Sequence, residues 1–168
     1  MFESMILGNT RPKAVSGQSV RLCGLSAQNI NVIGVYELEL YNKAGVNLCR
    51  VAGATPATSY SPATTNSPSV NLVNYPPSNT IDGNTTDWHS TCYIACATDG
   101  SAWLQYDFPV PITIDHWYFL PEGQYIPAGA GLKLQIYIDG VWCDIRGTMT
   151  PTQWSFSKWH VFTNLSIV

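Results

Sequence analysis

The sequence predicts an all-β fold, an antiparallel β-sandwich, and three observations point to it. Apolar and polar residues alternate with a period of two in several stretches, whereas an apolar stripe at the helical period of 3.6 never extends over ten residues. Turns that contain proline and glycine separate these stretches. Apolar residues make up 45% of the 168 residues, enough for one domain with its own hydrophobic core.

The clearest local feature is a predicted β-hairpin. In Leu132–Ile138 every second residue is leucine or isoleucine, so these four side chains share one face of a strand. Asp139 and Gly140 follow directly, and the second apolar run is Val141–Ile145. Asp-Gly favours a type I′ turn, because both central residues of that turn need a positive φ. The sequence therefore predicts a tight turn at these two residues.

The remaining strands are predicted from the same alternation. A stretch of Ala, Thr, Ser, Pro and Asn, Ala52–Ser69, has little to bury and is interpreted as a linker or long surface loop. The chain is divided into an N-terminal arm, Met1–Gly17, and one domain over residues 18–168. The other predicted strands are Ser19–Leu25, Tyr36–Tyr41, Trp103–Phe108, Ile112–Leu120 and Trp159–Val168.

Charge and the N-terminal sequence exclude several classes of function. Only 11% of the residues are charged and the formal net charge is −3, which argues against nucleic acid as the main partner. The first 17 residues lack a signal-peptide pattern, and no apolar run approaches the roughly 20 residues of a membrane span. Synthesis in a reducing cytoplasm follows, with free thiols rather than a zinc site at the five cysteines, Cys23, Cys49, Cys92, Cys96 and Cys143.

Two motifs resemble the discoidin domains, also called coagulation-factor type C domains. Residues 78–90 (SNTIDGNTTDWHS) resemble the Asp-Gly signature of that family, and residues 103–108 (WLQYDF) resemble its following strand. The ITID sequence at 112–115 resembles the next family element. The resemblance implies a galactose-binding-like jelly roll in which Trp88 and Trp103 belong to the core.

The order of the motifs resembles a rearranged form of the family. The segment Glu37–Tyr41 (ELELY) resembles the strand that usually closes the domain, but here it precedes the Asp-Gly motif. That order is similar to bacteriophage virion proteins, which implies a virion component, in a tail fibre, baseplate or head fibre, made in the host cytoplasm. It also implies a homo-oligomer or a part of a larger assembly.

The Asp-Gly loop is a candidate calcium site. Oxygen-bearing side chains cluster at Asp82, Asn84 and Thr86, and such oxygens are the ligands that calcium prefers. The resemblance implies a structural Ca²⁺ held by these three residues, with Glu37 as the distant carboxylate. The alternative is an Asx-type turn, in which the same side chains accept hydrogen bonds from the backbone.

The resemblance places ligand contacts in loops at one end of the sandwich, here Tyr60–Asn66, Thr91–Gly100 and Pro121–Gly131. Aromatic rings offer flat apolar area to a sugar at little cost in torsional freedom. A cell-surface glycan is the predicted ligand, and other virion proteins are the alternative partners, contacted through the N-terminal arm. The predicted carbohydrate contacts are Tyr93 and Tyr125, which stack, and Glu122 and Asp99, which form hydrogen bonds.

Catalytic motifs are missing from the sequence. It contains no G-x-S-x-G nucleophile elbow, no H-E-x-x-H zinc motif and no glycine-rich phosphate loop. The expectation is therefore a protein that binds without catalysing a reaction.

Overall fold

The structure is a computed structural model, and it describes residues 15–25, 32–58, 75–87, 91–95, 102–122, 132–150 and 157–168. Nine strands form in this part of the chain, together with a one-turn helix α1 (Leu48–Val51) and a 3₁₀ helix (Pro77–Ile81). The strands are β1 (Val15–Leu25), β2 (Val32–Tyr41), β3 (Thr55–Thr58), β4 (Cys92–Ala95), β5 (Ala102–Ile114), β6 (His116–Pro121), β7 (Lys133–Ile138), β8 (Val141–Thr150) and β9 (His160–Ile167).

The strands form one continuous antiparallel sheet in the order β3-β5-β1-β7-β8-β9-β6-β2-β4. The predicted all-β antiparallel fold is therefore confirmed. The two halves of a sandwich are joined rather than separate, because β8 pairs with β7 through its first half and with β9 through its second.

The sheet turns its corner in the middle of β8. The register between β8 and β9 is irregular between Arg146 and Thr148, which places Gly147 at a bulge. A Cβ atom at Gly147 would lie 2.7 Å from the Cδ2 atom of Leu165 and 3.1 Å from the carbonyl oxygen of Thr163. Glycine is needed here because β9 approaches too closely for a side chain.

The two halves of the curled sheet share one hydrophobic core. Leu22 on β1 and Leu104 on β5 belong to the same buried cluster as Leu38 on β2 and Phe119 on β6. These strands are distant in the sheet order, so the sheet must curl for their side chains to meet. The alternating burial along β5 follows from this arrangement, because every second residue faces the core.

The predicted hairpin is confirmed. Strands β7 and β8 pair antiparallel, and the turn between them consists of Asp139 with φ 50° and Gly140 with φ 87°. Both positive angles are those that a type I′ turn requires. Leu134 and Ile136 are buried on one face, as the alternation predicts.

Two predicted segments differ from the structure. The run Ile112–Leu120 is two strands, because the chain breaks at Asp115, whose N–H donates to the carbonyl oxygen of Tyr41 at 2.8 Å. The predicted loop Ala52–Ser69 contains β3, an edge strand in which proline is tolerated. Strand β1 begins at Val15, so residues 15–17 of the predicted arm Met1–Gly17 lie in the sheet, while the division into arm and domain stays a prediction.

Strand β1 lies between β5 and β7, so its first residues belong to the sheet. Val15 is buried and pairs with Ile114. A Cβ atom at Gly17 would lie 2.5 Å from the carbonyl oxygen of Tyr137. The first described residues of the chain, from Val15 onward, therefore belong to the sheet, and residues 1–14 lie outside the described residues.

The described cysteines agree with the prediction of free thiols. Cys23, Cys49, Cys92 and Cys143 form no disulfide. Burial raises the pKa of Cys49 to about 12, so this thiol stays protonated at neutral pH. Cys96 lies outside the described residues. Among the described residues, no helix is long and apolar enough to cross a membrane.

Candidate functional site

Two glutamates on the outer face of β2 are buried. Because Leu38 and Leu40 face the core, Glu37 and Glu39 point to the opposite side of the sheet. Their exposed fractions are nevertheless only 0% and 8%. Burial on an outer face requires a cover, and helix α1 and the loop that begins at Asp82 supply it through the contacts below.

Helix α1 positions the cation that faces these carboxylates. Asn47 caps the helix, since its side-chain oxygen accepts a hydrogen bond from the N–H of Cys49 at 3.0 Å. Arg50 follows in the same turn, and its Nη2 atom lies 2.7 Å from Oε1 of Glu39 and 3.5 Å from Oε2 of Glu37. The closer ion pair is therefore with Glu39.

Glu37 also holds the Asp82 loop. Its Oε1 atom accepts a hydrogen bond from the N–H of Gly83 at 2.6 Å. Gly83 has a φ of 83°, and a Cβ atom there would lie 3.0 Å from both terminal nitrogens of Arg50. The backbone angle requires glycine at this position, and a Cβ atom would also crowd the guanidinium.

The oxygens of the loop accept hydrogen bonds from the loop itself. Oδ1 of Asp82 accepts from the N–H of Asn84 at 2.7 Å. Oδ1 of Asn84 accepts from the N–H groups of Thr86 and Asp87, both at 3.3 Å. These are the Asx-type contacts of the alternative interpretation.

The described residues do not fit a calcium site. Calcium needs six to eight oxygens that converge on one point. Glu37 does lie beside the Asp82 loop, as the resemblance implies, but it faces the N–H of Gly83 and the guanidinium of Arg50. No group of three or more His, Cys, Asp or Glu side chains in the described ranges could hold a metal ion. The geometry favours the Asx turn, and the structural Ca²⁺ stays an expectation that rests on the resemblance alone.

Burial controls the ionisation of this cluster. Burial away from water raises the pKa of Glu37 to about 8, although the N–H of Gly83 and the charge of Arg50 act in the opposite direction. Burial, and then the hydrogen bond that its hydroxyl donates to Oε2 of Glu39 at 2.8 Å, raise the pKa of Tyr41 to about 12. At neutral pH Glu37 therefore holds its proton, and the closer contact of the Arg50 guanidinium is with Glu39.

An aromatic cluster continues the same outer face onto β6 and the residue before β9. The ring of Tyr41 stacks on His116 with 5.1 Å between centroids, and Tyr118 meets both rings edge-on. Tyr118 also meets Trp159 edge-on at 6.0 Å. Nδ1 of His116 lies 2.9 Å from Oδ2 of Asp115, an interaction that sequence reasoning missed although the two residues are adjacent.

The other half of the sheet carries a second charged network on its outer face. Nε of Arg21 donates to Oε1 of Gln135 at 2.7 Å, and the amide of Gln135 donates to Asp144. Nζ of Lys133 lies 2.9 Å from Oδ2 of Asp144. The guanidinium of Arg21 lies 4.1 Å from the ring centroid of Trp142, a cation–π contact.

The predicted carbohydrate contacts divide into three groups. Tyr93 lies in β4 and pairs with Gly34, so part of the predicted loop Thr91–Gly100 is a strand. Glu122 is only 8% exposed and its N–H donates to the carbonyl oxygen of Gly34 at 3.0 Å, which argues against direct contact with a sugar. Asp99 and Tyr125 lie outside the described residues.

The strands that flank the three predicted ligand loops meet those loops at one end of the sheet. On one half of the sheet, β3 ends at Thr58 beside Leu104, and β5 and β7 begin beside Cys23–Leu25 of β1. On the other half, β4 and β6 end beside residues 32–35 of β2. The chain therefore leaves the sheet toward all three segments from the same end of the sheet.

Two features of the outer faces escaped the sequence analysis. Arg50 lies 11 residues after Glu39 in a helix of only four residues, so no periodic pattern in the sequence indicates its position. Trp103 was interpreted as core, but Leu104 and Tyr106 take the core face of β5 and leave Trp103 half-buried on the other. The alternation of β5 could have placed Trp103 correctly.

Comparisons with protein-family models, with curated proteins and with solved structures find no match for this chain.

Proposed function

We propose that this chain is a non-catalytic binding module of a phage-type virion that recognises cell-surface carbohydrate. The observation that supports the proposal best is the convergence of the strand ends that flank the three predicted ligand loops. A rigid sheet that presents several loops at one end can place contacts from distant parts of the sequence around one ligand. The resemblance to discoidin domains supplies the ligand class.

The aromatic residues of these segments are the proposed sugar contacts. Tyr125 belongs to the segment between β6 and β7, and Tyr93 to β4 at the same end of the sheet. A ring that stacks on a sugar contributes about 1 kcal/mol beyond its buried area, which corresponds to a several-fold change in affinity. Asp99, between β4 and β5, is the proposed polar contact.

The experiment measures glycan binding by the wild-type protein on an array and then compares tyrosine variants. Tyr125→Ala and Tyr93→Ala should weaken binding several-fold, because each removes one stacking ring. Tyr137→Ala is the matched control: Tyr137 is 40% exposed and lies beside the Asp139-Gly140 turn, at the opposite end of β7 from Lys133. Melting curves of all variants must show that the sheet is intact.

The outcomes separate the two functions that the sequence predicts. Weaker glycan binding by Tyr125→Ala and Tyr93→Ala, but not by Tyr137→Ala, supports the carbohydrate proposal. A wild-type protein that binds no glycan contradicts it and favours the alternative, a structural virion subunit. That alternative predicts that deletion of residues 1–14 prevents incorporation into the particle; the deletion must stop there, because Val15 is buried in the sheet.

A further inference from the structure

The Asp82 loop lies against the sheet at Gly83, where it meets both Glu37 and Arg50. The loop is fixed to β2 at Gly83, whose N–H donates to the carboxyl group of Glu37. That carboxyl group is fully buried, so a hydrogen bond to it is protected from competition by water. The guanidinium of Arg50 lies against the same glycine, where a side chain would collide with it.

The charges of the cluster are arranged around the guanidinium. Nη2 of Arg50 contacts Glu39 at 2.7 Å and Glu37 at 3.5 Å, so a single nitrogen of the guanidinium bridges the two carboxyl groups. A guanidinium carries five N–H donors in a fixed plane, which suits it to hold two acceptors and a backbone segment at once. The side chain of Arg50 is 41% exposed, so its outer edge still reaches water.

A calcium ion and this guanidinium would compete for the same carboxyl group. Both are cations, and two like charges within a few ångströms repel each other strongly where water is excluded. Two of the loop oxygens that calcium would need, Oδ1 of Asp82 and Oδ1 of Asn84, already accept hydrogen bonds from backbone N–H groups of the loop. Metal binding would therefore require both the guanidinium and the turn to rearrange.

We propose that the guanidinium of Arg50 performs the structural role that the resemblance assigns to calcium, and holds the Asp82–Asp87 loop on β2 through Glu37 and Glu39. Loop and sheet are then joined by residues of the chain alone. The cation arrives on α1, whose single turn is fixed by the Asn47 cap.

The first test is the response to metal. The melting temperature of the wild-type protein should be the same in EDTA and in millimolar CaCl₂, because no metal contributes to the fold of the loop. A melting temperature that rises on addition of CaCl₂ to EDTA-treated protein would overturn the proposal, since a ligand that binds the folded state must stabilise it.

The second test removes the guanidinium. Arg50→Met keeps much of the aliphatic length but loses the charge, and its melting temperature should fall by roughly 5–10 °C. Lys43→Met is the matched control, because Lys43 is an exposed cation in the turn between β2 and α1. It removes the same charge from the same connection and should shift the melting temperature by no more than about 2 °C.

The third measurement keeps the test decisive if Arg50→Met does not fold. Arg50→Lys retains the charge and loses the planar guanidinium, both of whose terminal nitrogens lie close to Gly83. Hydrogen exchange of the Gly83 amide should be slow in the wild type, in EDTA and in CaCl₂ alike, and at least about tenfold faster in Arg50→Lys. Equal protection of Gly83 in the wild type and in Arg50→Lys would contradict the proposal.

Discussion

The outer faces of the two sheet halves each carry a carboxyl group beside a cation, but the pKa values of the two carboxyl groups are shifted in opposite directions. On β2, Glu37 is buried and its pKa is raised to about 8. On β8, the side chain of Asp144 is 40% exposed, and hydrogen bonds from Gln135 and Lys133 lower its pKa. Each carboxyl group has a cation nearby, Arg50 beside Glu37 and Lys133 beside Asp144, so the presence of a cation does not explain the difference in pKa.

The difference lies in what covers each carboxyl group. The Asp82 loop and helix α1 contact Glu37 on the outer side of the sheet. Removal from water then raises the pKa of Glu37 more than the charge of Arg50 lowers it. Asp144 meets its partners from a neighbouring strand in the same sheet, and water still reaches it. Cover by a loop, rather than residue type, decides in which direction the pKa of each carboxyl group is shifted.

The largest expected effect compares the removal of one carboxylate from each face. Glu39→Ala leaves the hydroxyl of Tyr41 and the guanidinium of Arg50 without their shared acceptor, so the free energy of unfolding should fall by about 2 kcal/mol. Asp144→Ala, at a solvated ion pair, should cost less than about 1 kcal/mol. Denaturant unfolding at neutral pH measures both, and equal losses would show that burial does not separate the two faces.

The second prediction concerns pH. The folded-state pKa of Glu37 is raised above its ordinary value of 4.5 to about 8, so the folded state binds more protons than the unfolded state between those values. The stability that this group contributes is complete below pH 4.5 and is lost as the pH rises toward 8. The slope is at most about 1.4 kcal/mol per pH unit.

The control variant for this prediction is Glu37→Gln, which keeps an oxygen to accept from Gly83 but does not titrate. Unfolding free energies of both proteins are measured from pH 5 to 8, and the wild type should lose stability relative to the variant as the pH rises. A constant difference across this window would mean that Glu37 ionises at its ordinary pKa.

Local features of the molecule could be predicted from the sequence, whereas features that depend on distant residues could not. The hairpin at Asp139 and Gly140 was predicted to the residue, because turn chemistry and alternation are local properties. Strand β3 was missed, because four residues at a sheet edge that include proline carry no period-two signal. Its pairing is determined by β5, which is more than 40 residues away.

The buried network was predicted only in part, and the reason is again distance along the chain. Glu37 lies beside the Asp82 loop, 46 residues from Gly83, and the sequence analysis expects a carboxylate there only through the resemblance. Arg50 was missed, because a four-residue helix gives no periodic pattern and a lone arginine is indistinguishable from a surface charge. Such a cation is visible only once the backbone has brought it to its partners.

The smallest expected effect concerns the salt dependence of the two ion pairs. Double-mutant cycles on Lys133 with Asp144 should give a coupling energy of about 0.2–1 kcal/mol at low salt, because both side chains are 40% or more exposed. In 1 M NaCl the Debye length falls to about 3 Å, so this coupling should largely disappear. The coupling of Arg50 with Glu39 should keep most of its low-salt value, because the carboxylate side is 10% exposed and is reached poorly by ions. If salt reduces both couplings by the same factor, the β2 carboxylates are accessible to solvent, and cover by the Asp82 loop and α1 is not what distinguishes the two faces.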